Sequence, residues 1–305
     1  MTLSEFRYIV AVAKELHFGR AAEKCFVSQP TLSVAIKKLE DELGVTLFER
    51  HQHEVSITPI GEAIVKQAEL ILNETNNLKE IAALNKNELA GELKLGVIYT
   101  IGPYLLPKLI PIINKKAPDL VLLIEEDYTE NLAKKLKAGD IDIAILANPF
   151  DESGISTELL YEEPFVVALP NGHALTRKKK LSANDLLNDT MLLLKTGNCF
   201  RDQVTKLCPS CVNPTGQDQQ IQKTLESSSI ETIRQMVASG VGITILPKLS
   251  IDTKSSLKGL LEYRPFSKPE PSREVIIAYR RSFPRMKAVE LIRSSISNCK
   301  LDNTL

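Results

Sequence analysis

Two thiols nine positions apart carry the most chemistry in this chain: Cys199 and Cys208, at the ends of Cys199-Phe200-Arg201-Asp202-Gln203-Val204-Thr205-Lys206-Leu207-Cys208. On an unbroken helix that spacing means roughly 13.5 Å of rise and about half a turn, so the sulfurs lie on opposite faces. A disulfide needs Cα atoms within about 7 Å, so the two bond only if the segment between them unwinds. A redox switch requires that pair of states, one helical and reduced, one rearranged and oxidised. Cys199 is the expected attacking sulfur, because a helix N-terminus with Arg201 two residues on favours the thiolate. Cys208 lacks both aids and precedes Pro209, which disfavours helical geometry there, so it is the expected resolving sulfur. An oxidant would take Cys199 to a sulfenic acid, and Cys208 would condense with it.

The elements that must position these thiols follow from periodicity. Met191-Leu192-Leu193-Leu194 reads as a buried strand, Gly197-Asn198 as a turn, and a short helix opens near Cys199. Further strands are expected at 93–98, 120–124, 141–146, 165–169, 243–246 and 274–278, with helices at 103–116, 131–137 and 286–299. This alternation predicts an α/β region with mainly parallel sheets, in two lobes that exchange strands near Tyr161–Pro164 and Arg264–Ser267. Ligands of open α/β sheets meet the C-terminal ends of strands, which brings Thr100, Thr129 and Cys199 toward one cleft. Two threonine hydroxyls there suit a small oxygen species, and Asp202 is placed to protonate a leaving oxygen. The competing readings are that each threonine caps the helix after it and that Asp202 pairs with Arg201 or Lys206.

Composition narrows the function classes. The 305 residues carry 38 basic and 38 acidic side chains, so any nucleic-acid footprint has to be local. No run approaches 18 uncharged apolar residues, so no membrane span is expected. The N-terminus leads into an amphipathic pattern with Lys14, Glu15 and Arg20 rather than a leader, and five cysteines are an odd number for a disulfide framework. A cytoplasmic protein with reduced thiols is the expectation. Cys208-Pro209-Ser210-Cys211 adds a CxxC: a dithiol redox pair, or with Cys199 three thiolates for zinc. His173 is the only histidine in this half, so neither a metal nor any other cofactor is expected, and Cys211 stands as a competitor for Cys199 or Cys208. Cys25 and Cys299 read as inert thiols.

The first 60 residues read as three short helices, either a small bundle used for protein contact or a DNA-binding unit. Thr2-Leu3-Ser4-Glu5 is a capping-box pattern, followed by Leu3, Phe6, Val10 and Ala13 at helical spacing. A second helix spans about 19–25. Ser28 then caps a third, with Pro30 in its first turn and Leu32, Ile36, Leu39 and Leu43 as its apolar stripe. Three short helices with a tight turn before the last form a helix-turn-helix, whose final helix enters the major groove. Seven basic residues against eight acidic ones leave this unit without excess positive charge, but between His17 and Lys38 Arg20, Lys24, Lys37 and Lys38 face only Glu23. That window is where phosphates would sit, with Arg50, His51 and His53 as a second candidate at a wing. Thr58 and Pro59 open a helix running to about Asn87, roughly 43 Å long. Its seam of Ile64, Ala68, Ile71, Thr75, Leu78 and Ala82 is of the kind two helices use to pair, so a dimer is expected.

Phe18-Gly19-Arg20-Ala21-Ala22-Glu23, Val27-Ser28-Gln29-Pro30-Thr31-Leu32-Ser33, Ile36-Lys37-Lys38-Leu39-Glu40 and Thr58-Pro59-Ile60-Gly61 closely resemble the winged helix-turn-helix of LysR-type transcriptional regulators. The resemblance implies DNA contact by Gln29, Pro30, Thr31, Ser33 and Lys37, with Arg50 at the wing; Arg20 and Ser28 join them as candidates. Downstream, Pro103-Tyr104-Leu105-Leu106-Pro107, Glu125-Glu126-Asp127-Tyr128-Thr129, the Cys199 segment and Gly240-Val241-Gly242-Ile243-Thr244-Ile245-Leu246-Pro247 resemble the hydrogen-peroxide-sensing OxyR branch of that family. Asn198 stands where many members of the branch carry histidine. The resemblance implies peroxidation of Cys199 (peroxidatic), a disulfide with Cys208 (resolving), and a peroxide pocket of Thr100, Thr129, Asn198, Arg201 and Asp202. It also implies a homotetramer built from homodimers, bound to double-stranded promoter DNA and engaging RNA polymerase, with no substrate turnover. The expected fold is α+β overall: a winged helix-turn-helix over 1–58, a linker helix and hinge over 59–91, and a two-lobed, periplasmic-binding-protein-like α/β regulatory domain over 92–305. Its lobe I would span 92–161 and 268–300, and its lobe II 162–267. The alternative is a LysR-type regulator that senses a small metabolite in the interlobe cleft.

Overall fold

The computed structural model describes residues 1–50, 55–83, 88–212, 226–227, 229–251, 257, 259–299 and 301. They divide into two units, Met1–Asn87 and Glu88–Leu305. His51, His53, residues 84–87 of the expected linker and the stretch 213–225 lie outside the described residues, as do the side chains of Arg50 and Ala82.

In the first unit, α1 (Leu3–Glu15) begins at a reciprocal cap. Thr2 accepts from the Glu5 amide at 3.3 Å, and Glu5 accepts from the Thr2 amide at 2.7 Å. The buried face of α1 is centred on Ile9 and Val12, and Leu3, expected inside, is exposed. The reason is that α1 packs on three helices at once, α2 (Phe18–Lys24), α3 (Gln29–Leu43) and α4 (Pro59–Ala83), and only that face meets them all. Ser28 caps α3, accepting from the Thr31 amide at 3.3 Å, with Pro30 in the first turn and Gly44 ending the helix in a left-handed conformation. Leu32, Ile36 and Leu39 are fully buried, as their stripe predicts. β1 (Phe48–Arg50) and β2 (Val55–Ile57) form the antiparallel wing, tied to α3 by Glu40, which accepts from the Leu47 and Phe48 amides.

Thr58 opens α4 by accepting from the Gly61 amide at 2.9 Å. A Cβ on Gly61 would stand 2.3 Å from the Leu47 carbonyl oxygen, so a glycine is what lets the helix start directly against the wing. Val65 and Ala68 of α4 join the three-helix core, whereas Leu70, Ile71 and Leu78 further along are exposed on the single chain.

The second unit runs β3 (Gly91–Ile98), α5 (Gly102–Lys116), β4 (Leu120–Asp127), α6 (Thr129–Ala138), β5 (Ile143–Ala147) and β6 (Ile155–Pro170). It continues through β7 (Leu193–Leu194), α7 (Cys199–Leu207), α8 (Pro209–Val212), β8 (Glu226–Ser227), α9 (Ile230–Ala238), β9 (Thr244–Pro247), β10 (Leu261–Pro265), β11 (Ser272–Arg280) and α10 (Met286–Asn298). β3 pairs in parallel with β4 and β5, and β11 runs antiparallel between β5 and β6. The sixteen-residue β6 changes partners along its length: through Pro164 it pairs with β11, and from Phe165 onward with β9 and β10. The sheet is therefore mixed rather than mainly parallel, because the two strands that carry the chain between the lobes run in opposite directions and pair with each other. Each lobe has its own apolar core. One includes Leu95, Val97, Leu109, Ile145, Ile277 and Ile292; the other includes Phe165, Val167, Leu192, Phe200, Ile233 and Ile245. No helix among the described residues is long and apolar enough to cross a membrane.

Candidate functional site

Where β6 and β11 pass between the lobes, Arg273 lies opposite Glu163 in the register, and both are buried. Arg273 Nε donates to Glu163 Oε2 at 2.8 Å, and Glu163 Oε1 accepts from the Leu249 amide at 2.8 Å. The other end of the guanidinium donates to Thr100, from Nη1 to Oγ1 at 2.8 Å and from Nη2 to the carbonyl at 3.0 Å. Its face lies 5.3 Å from the Phe200 ring centroid, and Phe200 meets Phe165 edge to face at 5.2 Å. One buried cation thus fixes the end of β3, the interlobe crossing and the residue after Cys199. Sequence reading missed this pair. The available signal was an arginine at an inward position of a strand whose later positions, Val275 and Ile277, are core.

Phe200 belongs to α7, which the Asn198 carboxamide caps by accepting from the Phe200 amide at 3.0 Å. Gly197 supplies the left-handed backbone, at φ 92°, that turns the chain from β7 into this helix. Cys199 is free, half-buried and packed against the core that includes Ile145, whereas Phe200 and Val204 lie in the other lobe's core. Gln203 also reaches across: its Nε2 donates to the Asn148 carbonyl at 2.8 Å, leaving Oε1 buried without a hydrogen-bond partner. Arg201 Nη1 donates to the Leu194 carbonyl at 2.8 Å, bracing the turn, and Asp202 lies on the exposed side.

The two threonines behave differently. Thr100 is buried and spent on Arg273, while Thr129 is the first residue of α6 and its Oγ1 is enclosed without a partner. Neither hydroxyl caps the following helix. Beside Thr100 a cavity of about 160 Å³ opens between the lobes, lined among others by Pro103, Tyr104, Glu126, Ser229 and Glu231. Tyr104 donates to Glu231 Oε1 at 2.9 Å, and burial pushes both the Tyr104 hydroxyl and the Glu126 carboxyl up. A Cβ on Gly102 would stand 1.9 Å from Glu126 Oε1, so this glycine makes room for the carboxylate at the cavity wall.

The expected bond between Cys199 and Cys208 is not the one this structure holds. Cys208, at the non-helical cap of α7, is bonded to Cys211 of α8, with Cα atoms 5.3 Å apart. The physical reason is spacing: three residues across the break between two helices bring Cα atoms within bonding range, and nine along an intact helix do not. Both sulfurs are buried, 3.6 and 3.9 Å from the Ala183 carbonyl oxygen. Burial pushes the Cys25 and Cys299 thiols up. Among the described residues there is no cluster of His, Cys, Asp and Glu able to hold a metal ion.

On the helix-turn-helix, Ser28, Gln29, Pro30, Thr31 and Lys37 are exposed along the outer face of α3, Ser33 is half-buried, and Arg50 ends β1. The Ser28 and Thr31 hydroxyls bond each other at 2.8 Å. Arg20 is exposed, but its Nη2 donates to the Glu15 carbonyl, and Lys24 pairs with the Glu15 carboxylate at 2.5 Å. Those contacts, from Lys24 first, hold Glu15 below the usual carboxylate range. The local positive excess is therefore smaller than the window from His17 suggests, since Glu15 lies just outside it and folds back onto it.

Residues 3–62 match the family described as bacterial regulatory helix-turn-helix protein, lysR family, and residues 86–298 match the LysR substrate binding domain. A hydrogen peroxide-inducible genes activator of Pectobacterium carotovorum subsp. carotovorum is 38% identical, covering 97% of this chain and 96% of its own. The DNA-binding transcriptional dual regulator OxyR of Escherichia coli K12 is 37% identical over 97% of this chain and 95% of its own. Among solved structures, a full-length OxyR cysteine-to-aspartate mutant from Pseudomonas aeruginosa superposes with a TM-score of 0.80 at 50% identity, covering 99% of this chain and 96% of that one. A peroxide-bound cysteine mutant of Corynebacterium glutamicum OxyR follows at TM-score 0.64 and 31% identity, over 98% and 92%. With both halves matched and relatives aligned almost end to end, this chain belongs to the LysR family of bacterial transcriptional regulators and is similar to its OxyR members.

Proposed function

We propose that the chain is a peroxide-responsive, DNA-binding transcriptional regulator whose sensor is Cys199. The observation that carries this reading is a free thiol at the first turn of a helix that bridges two lobes, with Cys208 at the opposite end. The Cys199 sulfur attacks one oxygen of hydrogen peroxide; the O–O bond breaks, Cys199 becomes the sulfenic acid, and the departing hydroxide is protonated to water. In the protein with Cys208 reduced rather than bonded to Cys211, the Cys208 thiol then condenses with the sulfenic acid, releasing a second water and leaving one disulfide. Closing it requires α7 to unwind, which withdraws Phe200 from Arg273 and Gln203 from Asn148. Thr129 Oγ1 and Gln203 Oε1, both enclosed and unpartnered, are available to hydrogen-bond the peroxide, with Thr100, Asn198 and Arg201 fixing the walls; Asp202, on the exposed side, supplies a proton from solvent.

The domain limits proposed are 1–58, 59–91 and 92–305, with Gln29, Pro30, Thr31, Ser33 and Lys37 meeting promoter DNA and Arg20, Ser28 and Arg50 touching its backbone. The exposed Leu70, Ile71 and Leu78 of α4 support pairing with a second copy, and the homotetramer and its engagement of RNA polymerase complete the proposal. Because each oxidation ends in a protein disulfide, the chain turns over no substrate, and reduced cytoplasm is its proposed location. The test is dimedone trapping with mass spectrometry of the peroxide-treated protein. Sulfenic acid at Cys199 is expected, and a treated protein labelled elsewhere but not at Cys199 refutes the reading. The cavity beside Tyr104 and Glu231 favours a second reading, a metabolite-sensing regulator; it predicts that Cys199→Ser retains a full transcriptional response.

A further inference from the structure

The structure pairs Cys208 with Cys211 while Cys199 is free and α7 is helical. This disulfide therefore belongs to the conformation in which the switch is off. Cys208 has two possible partners that demand different backbones. Cys211 is reached with α7 intact, its Cα 5.3 Å away, and Cys199 only with α7 unwound. Unwinding gives up the apolar seat of Phe200 and Val204, the Asn198 cap and the Gln203 bond to Asn148. Thiol–disulfide exchange between these two bonds conserves disulfide number, so the interactions of the intact helix decide its direction, and they favour Cys208–Cys211.

We propose that Cys211 is a third redox residue that ends the response: its thiolate attacks Cys208 in the Cys199–Cys208 disulfide, forming Cys208–Cys211 and releasing Cys199. The step makes one S–S bond and breaks one; the proton Cys211 loses to solvent is matched by the one Cys199 regains. Summed with the oxidation, one hydrogen peroxide and two thiols, Cys208 and Cys211, give one disulfide and two waters. Cys199 returns to its starting state, α7 rewinds, and the chain is then refractory, because Cys208 no longer has a thiol with which to resolve a new sulfenic acid. This proposal rests on the peroxide-switch reading above and adds a built-in termination to it.

The experiment follows the full-length protein, reduced with a dithiol and desalted, after one molar equivalent of hydrogen peroxide with no reductant present. Samples are blocked with N-ethylmaleimide over time, and disulfide-linked peptides are read by mass spectrometry. The Cys199–Cys208 peptide is expected first, falling as Cys208–Cys211 rises while the total stays constant. In Cys211→Ser, and in Cys211→Ala as a second small replacement, the decay of Cys199–Cys208 is lost. A Cys199–Cys208 bond as durable in the unmodified protein as in these variants overturns the termination step alone. So does Cys208–Cys211 appearing equally fast in Cys199→Ser, since no handover is then needed. Absence of Cys199–Cys208 from the unmodified protein and from both Cys211 variants overturns the switch reading and the termination together.

Discussion

Replacing Arg273 with alanine tests the contact that joins the lobe crossing to the thiol helix. The side chain is fully enclosed, at 0% exposure, and its Nη2 stands 2.7 Å from Glu163 Oε2, itself 3% exposed. Removing it leaves the Glu163 carboxylate with the Leu249 amide as its remaining donor, strips Thr100 of two hydrogen bonds and takes the cation from the Phe200 face. Breaking one partner of a buried pair costs about 3–5 kcal/mol. For a unit of 150–250 residues each kcal/mol moves Tm by about 2–4 °C, so the regulatory unit should melt roughly 6–20 °C lower. Scanning calorimetry of the full-length protein reads this as a fall in the corresponding transition, and Arg293→Ala supplies the control. Arg293 also pairs with Glu290 and Glu158, but its side chain is 48% exposed and screened by solvent, so its loss should leave Tm close to that of the unmodified protein. Arg273→Lys should fall between the two, keeping the charge and losing the fork that serves Glu163 and Thr100 together. Equal melting shifts for Arg273→Ala and Arg293→Ala would falsify the view that this cation organises the site.

The remaining predictions concern the other ends of the molecule. Lys37→Ala should weaken DNA binding by a similar factor on all sequences and lower the slope of log affinity against log salt by about one, read by fluorescence anisotropy across a salt series. An unchanged slope would remove Lys37 from the phosphate contacts. Asp185 accepts from Lys178, the largest influence, and from the Ser182 amide and hydroxyl, which together hold its carboxyl down at about 2 against an ordinary 3.8. Because the folded value is depressed, its stabilising contribution is complete above the ordinary value and is lost as pH falls toward about 2. Asp185→Asn should therefore lower Tm at pH 6 and leave it close to that of the unmodified protein near pH 2, and a constant difference across that range would contradict the assignment.

Much of this architecture was legible one residue at a time. Thr2, Ser28 and Thr58 announce helix starts, the stripe through Leu32, Ile36 and Leu39 names the inner face of α3, and nine positions between Cys199 and Cys208 imply a helix that holds them apart. Each of these depends on groups within about three turns of one another, so composition and spacing suffice. What only the folded chain decides are pairings across long separations. Arg273 meets Glu163 from 110 residues away and Thr100 from 173. Glu15 folds back onto Arg20 and Lys24, and the exposed side chains of β6 disguise the strand that serves both lobes. The partner of Cys208 is of the same kind: three cysteines close in sequence offer more than one bond, and backbone direction at the break between α7 and α8 selects Cys211. Local preference fixes where elements begin and which face turns inward, whereas register between distant strands and the angle between helices fix which charges and thiols meet, because those are set by the burial of whole faces at once.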